Sequence, residues 1–234
     1  MYALKNTGQQ FIYQIINPFI KLLITLKITP NMITTIGLGL NIIAAGIFVY
    51  AAEASVRGDM TYIGWGGAMI LFAGVFDMID GRLARLSNMS TKFGAFYDSV
   101  LDRYSEMFMF LGICYYLIAQ DYLFSSFFAF LALIGSSMVS YTRARAEGLG
   151  IKCDIGWMQR PERIVIIGGS ALLCGLLSPV LGADFKIEGI EPNIPWFETI
   201  SIFTIPLAIV SILSNYTALQ RIEHTQKALN NHEK

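Results

Sequence analysis

Residues 33–52 contain no charged side chain. A helix needs about 20 residues, at about 1.5 Å each, to cross the roughly 30 Å hydrocarbon core of a bilayer. Four more uncharged runs follow, at 60–76, 122–142, 164–183 and 199–219. A further segment starts near Phe93, carries Asp98, Asp102, Arg103 and Glu106 in its first half, and then runs apolar to Ala119. In hydrocarbon each backbone N–H and C=O must be satisfied internally, which leaves helices for runs of this length. The sequence therefore predicts an all-α integral membrane protein with six transmembrane helices. Composition agrees, because 54% hydrophobic and 15% charged residues is too apolar for an ordinary soluble domain.

Ahead of the first run, residues 6–27 alternate apolar and polar at helical spacing. Phe11, Ile12, Ile15, Ile16, Phe19, Ile20 and Leu23 are interleaved with Gln14, Asn17 and Lys21. This pattern predicts an amphipathic helix lying in the membrane interface. Thr29-Pro30-Asn31 ends it. The stretch lacks a small-residue cleavage site, so no signal peptide is expected. The whole chain, 1–234, reads as a single membrane domain with a core over 33–221 and a polar tail over 222–234. Cys114, Cys153 and Cys174 have no metal-ligand spacing and are expected to be packing residues rather than a disulfide framework.

Charge orients the bundle. Lysine plus arginine equals aspartate plus glutamate at 17 each. Net charge therefore names no partner, and nucleic acid is not expected. With the amino terminus in the cytoplasm, only Arg57 and Lys186 fall on the far side, and the other 15 basic residues face the cytoplasm. The expected location is the cytoplasmic membrane, with multiple spans.

Four aspartates break the apolar pattern: Asp77, Asp80, Asp98 and Asp102. Acids in an apolar helix are costly and mark function. Asp77 and Asp80 share one helical face, and Asp98 and Asp102 share another. The short gap between the two segments makes their helices expected antiparallel neighbours, with the pairs facing across one seam. Four carboxylates in one pocket repel unless cations neutralise them. An oxygen-only set without His or Cys suits a hard divalent cation, Mg²⁺ or Mn²⁺. Two alternatives are structural ion pairs with Arg82, Arg85 and Arg103, and a cation or proton path in a transporter.

The run Asp77-x-x-Asp80-Gly81-x-x-Ala84-Arg85, eight residues, then Gly94-x-x-x-Asp98-x-x-x-Asp102 resembles the signature of the CDP-alcohol phosphotransferase family at all its fixed positions. The six-helix layout with an amphipathic first helix is also similar. The resemblance implies transfer of a substituted phosphate from a CDP-linked donor, CDP-diacylglycerol, to an alcohol, releasing CMP. It implies that Asp77, Asp80 and Asp98 bind the metals, two ions in all, with Asp102 close to them and acting as general base. Asn31, Thr34, Asp77, Gly81, Ala84 and Arg85 would hold the CDP donor. Asn31 and Thr34 are also candidates to cap the first spanning helix. A homodimer is implied as well.

A second polar cluster speaks to the acceptor. Arg143, Arg145 and Glu147 precede Arg160, Pro161, Glu162 and Arg163 on the cytoplasmic side. Arginine forks suit phosphate oxygens, which a neutral alcohol lacks. The same residues also serve as plain topology signals. The pair of motifs resembles the phosphatidylinositol-phosphate synthase branch of the family, with Arg143 where that branch often has lysine. The resemblance implies inositol 1-phosphate as acceptor, held by Arg143, Arg163 and Arg221 with Arg160 nearby, and phosphatidylinositol phosphate as product. Glycerol 3-phosphate is the alternative acceptor.

Overall fold

The computed structural model describes residues 16–182, 185–187 and 197–232. The described part of α1 spans Ile16–Thr25. It is followed by α2 (Pro30–Ala54), α3 (Thr61–Leu86), α4 (Lys92–Ala119), α5 (Leu123–Gly148), α6 (Arg160–Leu181) and α7 (Ser201–His232). Five of these, α2, α3, α5, α6 and α7, are long and apolar enough to cross a membrane. The sixth expected span is α4, 28 residues long with the charged first half noted above. Between α6 and α7, β1 (Lys186–Ile187) pairs antiparallel with β2 (Phe197–Glu198).

The long helices close into a ring. α2 packs on α3 and α4, α3 on α6, α6 on α7, α7 on α5, and α5 on α4. Near the end of the ring away from the aspartates, aromatic side chains fill the middle. Phe48 of α2 meets Tyr116 of α4 edge-on and Phe203 of α7 stacked, each at 6.4 Å between ring centroids. Met60, Ile63, Ile70, Ile113, Ala132, Ile167 and Cys174 belong to the same buried cluster. All three cysteines are buried and free, as the sequence predicts.

Lipid removes the hydrophobic drive between spanning helices, so close approach through small residues takes over. A Cβ on Gly64 would lie 2.9 Å from Cα of Gly175, and one on Gly67 would lie 2.5 Å from the Leu172 backbone nitrogen. α3 and α6 therefore touch backbone to backbone. This contact fixes where α6, and with it Arg160, meets the acidic end of α3.

Two expectations change. α3 and α4 do not run as packed neighbours; each packs on α2 instead. Their acidic ends face each other across a gap that the carboxylates, not the backbones, span. The stretch after residue 221 is helical rather than a separate tail, because α7 continues to His232. Tertiary contacts hold it there. Ala228 packs on Ala146, Ile151 and Cys153, and Arg221 donates to the carbonyls of Val139 and Ile155. Of the expected interfacial helix, residues 6–15 lie outside the described residues. The described part buries Ile16, Ile20 and Leu23 against Ile33, Ile79 and Leu83, and leaves Phe19 and Leu22 exposed, as a helix lying against lipid would.

Candidate active site

α3 runs unbroken to Leu86, so Asp77, Asp80, Gly81, Ala84 and Arg85 sit on its last turns. α4 starts after Thr91, whose Oγ1 accepts the Gly94 N–H at 2.9 Å. That cap satisfies one of the unpaired amides of the first turn and sets the direction in which α4 leaves the connection. Asp98 and Asp102 follow one turn apart. Asp77, Asp98 and Asp102 each bring one carboxylate oxygen within 4.8 Å of the others. Asp80 lies beside them, only 5% exposed.

The gap between α3 and α4 opens as a cleft of about 180 Å³. Its walls include Asn31 and Thr34 of α2, Gly81, Ala84 and Arg85 of α3, and Thr91 and Gly94 at the start of α4. Asp80 and Asp98 form its floor. Every residue expected at the CDP donor therefore lines this cleft except Asp77. Asp77 lies behind it, in a narrow pocket shared with Asp80, Asp102 and Arg160. A Cβ on Gly94 would approach Asn31 Oδ1 to 3.3 Å and Thr91 Oγ1 to 3.1 Å, so glycine here lets α2 and α4 converge beside the cleft. Asn31 and Thr34 do not cap α2. The cap position is Thr29, without a side-chain cap bond, and Thr34 Oγ1 bonds back to the Pro30 carbonyl at 3.1 Å. Their side chains are left to the cleft wall rather than to the helix end. Ser90 and Thr91, which line the cleft, drew no notice in the sequence because a short polar connection is unremarkable there.

The donor set fits a divalent cation. All its atoms are carboxylate oxygens, which suits a hard ion. Asp80 Oδ2 and Asp98 Oδ1 are buried and have no hydrogen-bond partner among the described residues. A buried acceptor without a donor is costly, and a cation satisfies it.

The four candidate acceptor arginines do not behave alike. Arg160 enters the acidic site itself, with Nη1 at 2.6 Å from Asp77 Oδ1 and 2.8 Å from Asp102 Oδ1. Arg163 is fully buried and forks onto Glu106, Nε to Oε1 at 2.8 Å and Nη2 to Oε2 at 2.9 Å. Its Nη1 donates to the Met158 carbonyl at 2.7 Å. Arg221 is also buried, on the backbone carbonyls already named. Arg143 is half exposed, paired with Glu147 at 2.9 Å and Asp154 at 3.3 Å. Glu106 had no assigned role in the sequence reading. Its spacing of four beyond Asp102, itself four beyond Asp98, was the available signal.

Residues 27–213 match the family model for CDP-alcohol phosphatidyltransferase. The chain belongs to that family. It is an enzyme of the phosphatidyltransferase type, and the transporter alternative is set aside. The acids sit at one end of the bundle, lining a cleft and the narrow pocket behind it. The chain is 32% identical over 178 residues to the phosphatidylinositol phosphate synthase of Corynebacterium glutamicum, covering 74% of each chain. It is 34% identical over 182 residues to the archaetidylinositol phosphate synthase of Methanothermobacter thermautotrophicus, covering 78% of this chain and 80% of that one. A crystal structure of Mycobacterium tuberculosis phosphatidylinositol phosphate synthase with CDP-DAG bound superimposes with a TM-score of 0.69 at 27% identity. That match covers 91% of this chain and 94% of the other. In this phosphatidyltransferase the aspartates of the family signature are the ones that converge.

Proposed function

We propose that the protein transfers the phosphatidyl group of CDP-diacylglycerol to a hydroxyl of inositol 1-phosphate, giving phosphatidylinositol phosphate and CMP. The observation that carries the reaction is the convergence of Asp77, Asp98 and Asp102, of which Asp98 lines a cleft shared with Asn31, Gly81 and Arg85 and the other two lie behind it. The cytidine diphosphate head group lies in that cleft, its acyl chains in lipid, and Arg85 faces its phosphates. Asp77, Asp80, Asp98 and Asp102 would hold two Mg²⁺ or Mn²⁺ ions. When bound, such ions neutralise the diphosphate and stabilise charge on the leaving CMP.

The acceptor hydroxyl attacks the β-phosphorus of the donor. The new P–O bond forms as the bond to the bridging oxygen breaks, and that electron pair leaves with CMP. Asp102 accepts the hydroxyl proton as general base. The active site faces the cytoplasm, where CMP and inositol 1-phosphate are soluble, and the enzyme is a homodimer in the cytoplasmic membrane.

The acceptor assignment rests on the basic side of the site and on the relatives' names. Arg143, Arg163 and Arg221 all bond to the segment from Asp154 to Met158. Of these, Arg143 is the exposed guanidinium and the direct phosphate contact. Arg163 and Arg221 shape the surrounding segment and contribute positive potential. Arg160 approaches from the metal side.

Release of CMP from purified protein with Mg²⁺, over a panel of CDP-lipids and alcohols, tests the reading. Turnover with CDP-diacylglycerol and inositol 1-phosphate is expected, and chelation by EDTA should stop it. Turnover with glycerol 3-phosphate alone would overturn the acceptor, and no CMP release with any pair would overturn the reaction.

A further inference from the structure

Arg160 occupies an unusual position for a residue on the acceptor side of a transferase. A single Nη1 spans Oδ1 of Asp77 on α3 and Oδ1 of Asp102 on α4, at 2.6 and 2.8 Å. These are two of the three carboxylates whose oxygens gather within 4.8 Å. A guanidinium in that place and a divalent cation on the same carboxylates are alternatives. Both neutralise the pair, and a dication so close to a guanidinium is repelled by it.

The surroundings allow the side chain, and not its backbone, to respond. Arg160 opens α6, with Pro161 fixing the first turn. The segment before it is held to the bundle. Arg163 holds the Met158 carbonyl, Arg221 holds the Ile155 carbonyl, and the Met158 N–H points to Thr217 Oγ1 at 3.5 Å. Gly156, at φ +102°, presses so closely on Thr217 that a Cβ there would lie 2.2 Å from Cγ2 of Thr217. The Cα of Arg160 is therefore fixed, and the change open to it is a rotamer change. Its Nε is buried and has no hydrogen-bond partner among the described residues. The bridge thus leaves one donor of the fork unmet, and that cost is relieved when the side chain moves.

We propose that Arg160 is the built-in counter-cation of the carboxylate site. It holds Asp77 and Asp102 together in the metal-free protein, competes with the divalent ion for them, and on metal binding turns its fork outward to a phosphate oxygen of a substrate. The inference rests on the reading of Asp77, Asp98 and Asp102 as metal ligands. It gives Arg160 two roles in sequence. First it prevents three clustered carboxylates from driving α3 and α4 apart, and then it contacts an anion once the metal has taken over that task. It also keeps the Asp102 carboxylate hydrogen-bonded until the site is loaded.

The test is Mn²⁺ binding without substrate, read from the electron paramagnetic resonance signal of free Mn²⁺, on the full-length wild type, Arg160→Gln and Arg160→Lys. Arg160→Gln should bind Mn²⁺ roughly 10-fold more tightly, because the competing charge is gone. Arg160→Lys, which keeps the charge but loses the fork, should fall between the two. In EDTA, Arg160→Gln should melt below the wild type, and saturating Mn²⁺ should narrow that difference. Equal or weaker Mn²⁺ binding by Arg160→Gln, with binding by the wild type, would overturn the counter-cation role and leave the metal site standing. No Mn²⁺ binding by any of the three would overturn the metal reading and this inference with it. If Arg160→Gln is not recovered folded, Arg160→Lys decides, and affinity no tighter than wild type counts against the proposal.

Discussion

Arg163 and Glu106 form a two-pronged ion pair in the interior of the helix ring, at 2.8 and 2.9 Å, with neither residue more than 4% exposed. The pair ties the first turn of α6 to α4 one turn beyond Asp102. It thereby sets the distance between the helix that carries Arg160 and the helix that carries the proposed base. Removing one partner of such a pair strands the other charge in a medium that cannot solvate it. Glu106→Ala should cost about 3–5 kcal/mol of stability. The check is thermal unfolding in detergent, and an unchanged midpoint would count against a structural role for the pair. Arg163→Ala should show the same loss, together with a raised KM for the acceptor.

Asp102→Asn keeps the size of the side chain but cannot accept the proton. Turnover should fall by about 10²- to 10⁴-fold, the usual contribution of a positioned base. CMP release measures this, and calorimetric binding of CDP-diacylglycerol should change little. Near-normal turnover would remove Asp102 from the base role.

Among the described residues, Arg143 pairs with half-exposed acids on its own helix and in the adjoining segment. Exposed pairs of this kind contribute about 0–1 kcal/mol. Arg143→Ala should therefore leave the melting midpoint nearly unchanged and raise the KM for inositol 1-phosphate without changing that for the CDP-lipid. An equal rise in both constants would move Arg143 out of the acceptor site.

Gly67 is a tight point of the α3–α6 contact, where an added Cβ would lie 2.5 Å from the Leu172 backbone nitrogen. Gly67→Ala should force the helices apart at a cost of about 1–3 kcal/mol. Because that contact aligns Arg160 with α3, Mn²⁺ affinity should also change. Thermal unfolding and Mn²⁺ titration check the two effects separately.

Most of the candidate site was legible because its information is local. Asp77 and Asp80 share a face by spacing alone, as do Asp98 and Asp102. Their position next to uncharged runs places them at one end of membrane helices. The expected lining of the donor cleft, from Asn31 to Arg85, follows from the same short stretches. The basic residues were less legible. Four arginines with similar sequence surroundings have four different fates: Arg160 on the acids, Arg163 on Glu106, Arg221 on backbone carbonyls and Arg143 toward solvent. Nothing local separates them, since a guanidinium takes whichever acceptor packing brings within reach.

The sequence by itself determined that the chain is a helical membrane protein, where its spanning helices start to within a few residues, and which four aspartates gather at one end of them. Those follow from the cost of an unsatisfied backbone in lipid and from the 3.6-residue period of a helix. Tertiary structure alone decided the order of the ring, in which α3 and α4 pack on α2 and not on each other. It also carried α7 on as a helix through the expected tail, and it placed Arg160 between Asp77 and Asp102. Those outcomes depend on which small residues let two backbones meet, as Gly64 and Gly67 do with α6. Such contacts join residues more than 100 positions apart in the chain, as in the case of Gly64 and Gly175. No periodicity within a single segment can report them.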